Sequence, residues 1–93
     1  MKEYKIEYTS EASDGITKFK NAGDIQLLKR IKIFIEELKI HPKRGKGKPK
    51  RLKHFPGNHW SRMISKKHRM MYRIFENVVT VQVIRVHGHY YDK

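Results

Sequence analysis

Apolar residues in the first part of the chain recur at the spacing of helices after one short strand. The segment 4–8 alternates and is rich in aromatic and β-branched residues, which is typical of a strand. A helix is then predicted from Thr9 or Ser10, residue types that cap helices, up to the NAG sequence at 21–23. A second helix opens at Asp24, and its apolar residues recur at three- and four-residue intervals. These residues are Leu27, Leu28, Ile31, Phe34, Ile35 and Leu38.

Beyond residue 50 the apolar spacing changes to a period of two, which indicates strands. The segments LKH, HWSRMIS, HRMMYRIFE and VVTVQVIRVH predict four strands, with a tight hairpin turn at Glu76 and Asn77 between the last two. One strand, two helices and a run of strands predict an α+β fold. The N-terminal strand and both helices should pack on one face of a small, mainly antiparallel twisted sheet. A chain of 93 residues supports one core, so residues 1–93 are expected to form a single domain.

Positive charge is concentrated in one stretch of the chain. Lys and Arg number 22 against 9 acidic residues, which gives a net charge of +13. Of these 22 bases, 13 lie from Lys39 to Arg73, a stretch that contains no acid. A solvated surface usually mixes both signs, so this stretch favours a polyanionic partner, most commonly a nucleic acid. A membrane surface is less favoured because the stretch is not an amphipathic helix.

Composition excludes several kinds of chemistry. Without cysteine the chain has no disulfide, no thiolate metal ligand and no thiol nucleophile. A serine triad lacks a plausible acid, and no cofactor-binding motif is present. No apolar run approaches the ~18 residues that span a bilayer, and the N-terminus lacks the apolar core of a signal peptide. We therefore expect a soluble, cytoplasmic protein with no membrane association.

Three arginines are candidates for phosphate contacts on the sheet. Arg62, Arg69 and Arg73 lie on neighbouring predicted strands. If the sheet face that the helices leave uncovered binds RNA, these guanidinium groups can pair with phosphates. The alternative is that they only keep an exposed strand face soluble, although the lack of interspersed carboxylates favours RNA.

The segment HGHYY at 87–91 places two imidazoles and two phenols close together. Such groups transfer protons near neutral pH and stack on nucleobases. The alternatives are a weak metal site or a pair of tyrosines that fills the core. No acidic ligand is near His87 and His89, so a metal is not expected.

The order of these motifs resembles a known family. GKGKPKRLKH, then HWSRMISKKHRMMYRIF, then VIRVHGHYY, which together cover about the last 55 residues, resemble the Txe/YoeB toxins of the RelE/ParE superfamily. The resemblance implies a RelE-like fold and a metal-independent endoribonuclease that cuts messenger RNA in the decoding site of the ribosome. It also implies a cognate antitoxin as partner, and relatives form homodimers.

The resemblance assigns roles to particular positions of this chain. Arg69 is the implied phosphate clamp and His89 the implied general acid, with Tyr90 beside it to orient or stack. Lys50 occupies the position where the family has a glutamate that serves as general base. Further basic residues are expected to bind the RNA backbone, namely Lys46, Lys48, Lys53, Arg62 and Arg73.

Two positions depart from the family pattern. Lysine at position 50 is a poor base because an ordinary lysine is almost entirely protonated at pH 7. One alternative is that Lys50 or Lys53 serves as the base, because neighbouring cations disfavour one another's protonation. The other alternative is that the change from glutamate weakens the toxin. Met63 replaces the second arginine of the family's WSRR sequence, and this loss of a cation favours the weakened toxin. The competing hypothesis is a basic module that binds RNA, the ribosome or an antitoxin without cutting.

Overall fold

The computed structural model describes residues 3–88, which form a sheet of five strands with two helices on one face. The elements in chain order are β1 (Lys5–Tyr8), α1 (Ser10–Asn21), α2 (Ile25–Leu38), β2 (Lys50–Arg51), β3 (His59–Met63), β4 (Arg69–Phe75), a short 3₁₀ helix (Glu76–Val78) and β5 (Thr80–Arg85). Their order in the sheet is β1-β5-β4-β3-β2. Among the described strands only β1 pairs in parallel, with β5, so the N-terminal strand lies at an edge of the sheet and not on one of its faces, where it was expected. The predicted α+β fold with a mainly antiparallel sheet is therefore confirmed.

Local capping determines where both helices begin. The Thr9 side chain accepts a hydrogen bond from the backbone N–H of Ala12 at 3.1 Å, and Asp24 accepts one from Leu27 at 3.2 Å. These bonds satisfy N–H groups that the first turn of a helix leaves without a partner. The predicted caps are thus confirmed.

The core lies between the helices and one face of the sheet. Its buried side chains include Leu27, Ile31, Phe34, Ile35 and Leu38 from α2, and Met70, Tyr72, Ile74, Val81 and Val83 from the strands. Each fully buried side chain of this size contributes about 1.5 to 3 kcal/mol. Met70, Tyr72 and Ile74 occupy alternate positions of β4, so the residues between them lie on the opposite face of the sheet, as do their partners on β3.

Three details differ from the sequence predictions. The LKH segment was predicted to be a strand, but β2 ends at Arg51, before Leu52. The turn after β4 is not a tight two-residue hairpin, because Glu76–Val78 form a 3₁₀ helix and Val79 adopts a left-handed backbone with φ of 47°. A register shift between Met71 and Tyr72 pairs Met71 with Arg85 and Tyr72 with Val83. Met71 is therefore opposite Arg85, and Ile84 has no partner in the pairing of β5 with β4.

Candidate nucleic-acid interface

Pairing across the strands collects basic residues on the sheet face opposite the helices, which we call the basic face. Lys50 of β2 pairs with Ser61 of β3, and Ser61 pairs with Met71 of β4. Two residues further along, Met63 pairs with Arg69. Residues that pair directly share a face of the sheet. Lys50 and Arg69 therefore lie on the same face, two strands apart, or about 10 Å across the sheet and about 7 Å along it.

The lysines of the neighbouring loop are exposed to solvent. Lys46, Lys48, Lys50 and Lys53 all present exposed side chains. Arg69 and Arg73 are partly buried on β4, about 13 Å apart along the strand. An extended row of cations of this kind suits a polyanionic backbone better than a single compact anion.

Arg62 is a correction to the sequence prediction, because its side chain lies in the core. It pairs with Met70, on the helix-covered side of the sheet, and its side chain has 0% relative exposure. The prediction that Arg62 sits on the uncovered face with Arg69 and Arg73 is therefore wrong. In the pairing of β3 with β4, Met63 and His59 are opposite Arg69 and Arg73. Arg62 is adjacent to Met63 in the strand, so its side chain lies on the other face.

All five N–H donors of the Arg62 guanidinium have partners. Nε donates to the Tyr72 hydroxyl at 3.2 Å, and Nη1 donates to Glu37 Oε1 at 2.5 Å. The remaining bonds go to the carbonyl oxygens of Lys46, His41 and Arg44, at 3.2, 2.7 and 2.9 Å. Arg62 therefore anchors the backbone of residues 41–46. These residues belong to the loop 39–49 between α2 and β2, which we call the basic loop.

Further contacts fix the same loop against the core. The Tyr72 hydroxyl donates to the Pro42 carbonyl at 2.6 Å, and the backbone N–H of Met63 donates to the Gly47 carbonyl at 2.7 Å. A Cβ atom at Gly47, which has φ of +82°, would lie 2.7 Å from the Phe34 ring. Only glycine fits this close approach with this backbone conformation. The loop thus enters β2 from a defined position, which determines where Lys50 lies.

Glu37 completes this anchoring with an ionised carboxylate. It accepts a hydrogen bond from the backbone N–H of Lys46 at 2.9 Å in addition to its ion pair with Arg62. Burial alone would raise the pKa of Glu37, but the hydrogen bonds from Lys46 and Arg62 outweigh burial and hold the pKa below its ordinary value.

Arg73 lies among aromatic and loop residues at the other end of the basic face. Its guanidinium carbon is 4.5 Å from the centre of the Phe75 ring, a cation–π distance. It pairs across the sheet with His59, whose ring is 5.6 Å from that of Phe55. Burial lowers the pKa of His59, and the positive charge of Arg73 lowers it further. This end of the face therefore combines a cation, an imidazole and aromatic rings, groups that suit a nucleotide.

The chain returns to the start of β4 after leaving β5. The backbone N–H of Arg69 donates to the Gly88 carbonyl at 3.3 Å. Gly88 immediately precedes His89 in the sequence. The predicted site residues His89 and Tyr90 lie outside the described residues, so their assignments stay predictions.

Sequence reasoning identified neither Glu37 as a partner of Arg62 nor His68 as a partner of Gly88. Glu37 is the last acid before the basic stretch, a signal that could have suggested an internal partner for one of its arginines. Trp60 and Ile64 flank Arg62 at alternate positions of an apolar set, which could have placed Arg62 in the core. By contrast, nothing local in the sequence signals the contacts of His68 with Gly88, which lies 20 positions away.

Among residues 3–88, no cluster of three or more potential ligands could hold a metal ion. Within the same range no helix has the length and apolar character needed to cross a membrane.

Comparisons with known proteins agree with this fold. The family model described as "YoeB-like toxin of bacterial type II toxin-antitoxin system" matches residues 8–90. Toxin YoeB of Escherichia coli K12 is 34% identical over 64 residues, which cover 69% of this chain and 76% of that protein. A YoeB/ParE toxin from Agrobacterium tumefaciens has a similar structure, with a TM-score of 0.85 and 31% identity over 92% of this chain and 99% of that one.

A toxin in complex with its antitoxin is also similar to this chain. The heterotetrameric YoeB–YefM complex from Staphylococcus aureus contains a chain with a TM-score of 0.78 and 25% identity, over 94% of this chain and 98% of that one. The fold and these comparisons define a small α+β toxin of the RelE superfamily. The chain belongs to the YoeB family of toxins from bacterial type II toxin–antitoxin systems.

Proposed function

We propose that the basic face cuts messenger RNA on the ribosome as a metal-independent endoribonuclease. One observation carries the proposal: Lys50 and Arg69 lie on the same face of the sheet, and the Gly88 peptide, which precedes His89 in the sequence, is hydrogen-bonded to Arg69. The family resemblance assigns the base to position 50, the phosphate clamp to Arg69 and the acid to His89. The reaction would take place in the cytoplasm, where ribosomes translate.

The proposed reaction is an internal transfer of the phosphodiester. The 2′-hydroxyl attacks the adjacent phosphorus and gives its proton to a base, which is Lys50 or Lys53. The bond from phosphorus to the 5′-oxygen breaks, and His89 donates a proton to this leaving oxygen. The products are a 2′,3′-cyclic phosphate and a 5′-hydroxyl, so atoms and charge balance. Arg69 stabilises the negative charge of the phosphorane, and Tyr90 orients His89 or stacks on a base.

The remaining cations hold the substrate. Lys46, Lys48 and Lys53 are exposed around β2, and Arg73 lies further along the same face as Arg69. Each contributes attraction for a phosphate without reading sequence. The ribosome is the proposed source of a presented messenger, because phosphate contacts alone carry no sequence information.

A non-catalytic role on RNA is the second candidate, and two positions favour it. Lys50 stands where the family has glutamate, and Met63 is directly opposite Arg69, where the family has a second arginine. The basic face would then bind the ribosome and slow translation without cutting. We propose an intermediate outcome, namely weak cleavage that increases when Lys50 is replaced by glutamate.

An acidic antitoxin segment is the proposed protein partner. The similar YoeB protein from Staphylococcus aureus is found in complex with YefM. The acid-free stretch from Lys39 to Arg73 suits a partner of opposite charge.

Purified protein mixed with translating ribosomes and a defined messenger tests the proposal. We expect cuts that end in a cyclic phosphate, and a reduction of at least tenfold in Arg69→Ala and in His89→Ala, equivalent to about 1.4 kcal/mol of barrier. Lys20→Ala on α1, which removes a charge on the other side of the sheet, should cut like the parent. Full activity in either site variant removes that residue from the mechanism.

The Lys50→Glu variant separates the two candidates. If it cuts several times faster than the parent, the site is catalytic and the lysine weakens it. Parental activity equal to that of typical relatives, with no gain in the variant, would contradict the weakened site.

A further inference from the structure

Two hydrogen bonds join Gly88 to the beginning of β4. The backbone N–H of Gly88 donates to Nδ1 of His68 at 3.0 Å, and the backbone N–H of Arg69 donates to the carbonyl oxygen of Gly88 at 3.3 Å. Both polar groups of the Gly88 residue are thus held by consecutive residues. One of these residues, Arg69, is the proposed phosphate clamp, and the residue after Gly88 is the proposed acid.

The His68 ring is itself held in place. Its centroid is 5.1 Å from that of Phe19 on α1, with an interplanar angle of 67°, an edge-to-face contact. Its backbone is fixed in the turn between β3 and β4, since the His68 carbonyl accepts from Ile64 at 3.0 Å and Ser65 at 3.1 Å. The acceptor nitrogen therefore has a defined position relative to β4.

The contact with Gly88 also fixes the chemical form of His68. An imidazole nitrogen accepts a hydrogen bond only when it carries no proton, so Nδ1 is unprotonated and the ring proton sits on Nε2. Gly88 has φ of +80°, and a Cβ atom there would meet nothing within 4 Å. Conformation rather than crowding explains glycine at this position.

We propose that His68 is a positioning residue that holds the Gly88 peptide against the start of β4, next to the proposed clamp and one residue before the proposed acid. The inference rests on the proposed function for its catalytic consequence, while the geometry of Gly88 stands without it. His68 itself would touch neither RNA nor the reacting atoms.

Asparagine and leucine at position 68 form a matched pair for the test. The Oδ1 atom of asparagine stands close to where histidine has Nδ1 and accepts the same hydrogen bond, whereas leucine fills the space beside Phe19 but accepts none. We expect His68→Leu to lower kcat for ribosome-dependent cleavage at least tenfold with KM changed less than twofold. His68→Asn should restore kcat to within about threefold of the parent. A merely structural role predicts no such rescue.

Hydrogen exchange of the Gly88 amide, measured by NMR on the isolated protein, provides the second readout. Protection is expected in the parent and in His68→Asn, and its loss in His68→Leu supports the proposal even in a chain that does not cut. Equal protection of Gly88 in all three proteins would overturn the proposal. So would an active parent whose kcat is reduced equally by asparagine and leucine, or by neither. Absent cleavage in the parent would instead contradict the proposed function alone.

Discussion

Arg62 and Arg69 show how the environment of a single residue decides the role of an arginine in this chain. Both lie in the acid-free stretch, and both have a basic sequence context. Arg62 is completely buried and anchors a loop, whereas Arg69 lies on the basic face. A buried arginine that loses its partners, or is itself removed, leaves desolvated polar groups behind.

Replacing the two arginines should therefore affect different properties. Arg62→Ala removes the ion pair with Glu37 and leaves three carbonyl oxygens unsatisfied, so the free energy of unfolding should fall by about 3 to 5 kcal/mol. Arg69→Ala should lower it by about 1 kcal/mol or less, as is usual for a partly exposed side chain. Urea unfolding of both variants measures the difference. Equal losses of stability would contradict the structural assignment of Arg62.

At the scale of elements, α2 and the basic loop are coupled through the Glu37 carboxylate. The pKa of Glu37 is lower in the folded protein than in the unfolded chain, since Lys46 and Arg62 stabilise its charged form. Its contribution to stability is thus fully present above the unfolded-state pKa and is lost as pH falls through the folded-state value.

Acid titration of stability measures this coupling. The urea midpoint of the parent should decrease as pH falls below about 5, and Glu37→Gln should show a smaller decrease over the same interval. Glutamine still accepts hydrogen bonds from Lys46 and Arg62 but does not titrate. Parallel pH profiles for parent and variant would show that Glu37 contributes no acid-sensitive stability.

Substitutions at Gly23 and Gly88 can be compared to separate the cost of a left-handed backbone from any effect on the proposed site. Gly23 and Gly88 have φ of +70° and +80°, and an added Cβ at either would meet nothing within 4 Å. Alanine at either position should lower stability by about 1 kcal/mol. Only Gly88→Ala is expected to reduce RNA cleavage, by several-fold, because Gly23 lies between the helices. Equal RNA cleavage by the two variants would show that Gly88 has no role in the proposed site.

Elements with local signals were predicted well, whereas pairing between distant segments was not. Thr9 and Asp24 specify helix starts by bonds within four residues, so α1 and α2 follow from the sequence. The exposed positions of Lys46, Lys48, Lys50 and Lys53 also follow, since a run of charges stays in water. The register of β3 against β4 depends on tertiary packing, and so Arg62 was placed on the wrong face.

At the scale of the whole molecule, positive charge is concentrated in the segment from Lys39 to Arg73. Two lysines of the loop and two of α1 allow a comparison at equal net charge, since Lys46, Lys48, Lys18 and Lys20 are all exposed. Loss of two phosphate contacts should reduce the slope of log affinity against log salt by about 1.4 for single-stranded RNA. We expect this change for Lys46→Ala with Lys48→Ala and little change for Lys18→Ala with Lys20→Ala. Equal slopes would mean that net charge alone attracts RNA.

The proposal that this basic face cuts messenger RNA is tested most directly by mapping 5′ ends of translated messages after induction. The parent should produce new ends in phase with codons, Lys50→Glu should produce more of them, and Arg69→Ala should produce at least tenfold fewer. Intact messages with slowed translation, in the parent and in Lys50→Glu alike, would contradict cleavage and leave a protein that only binds.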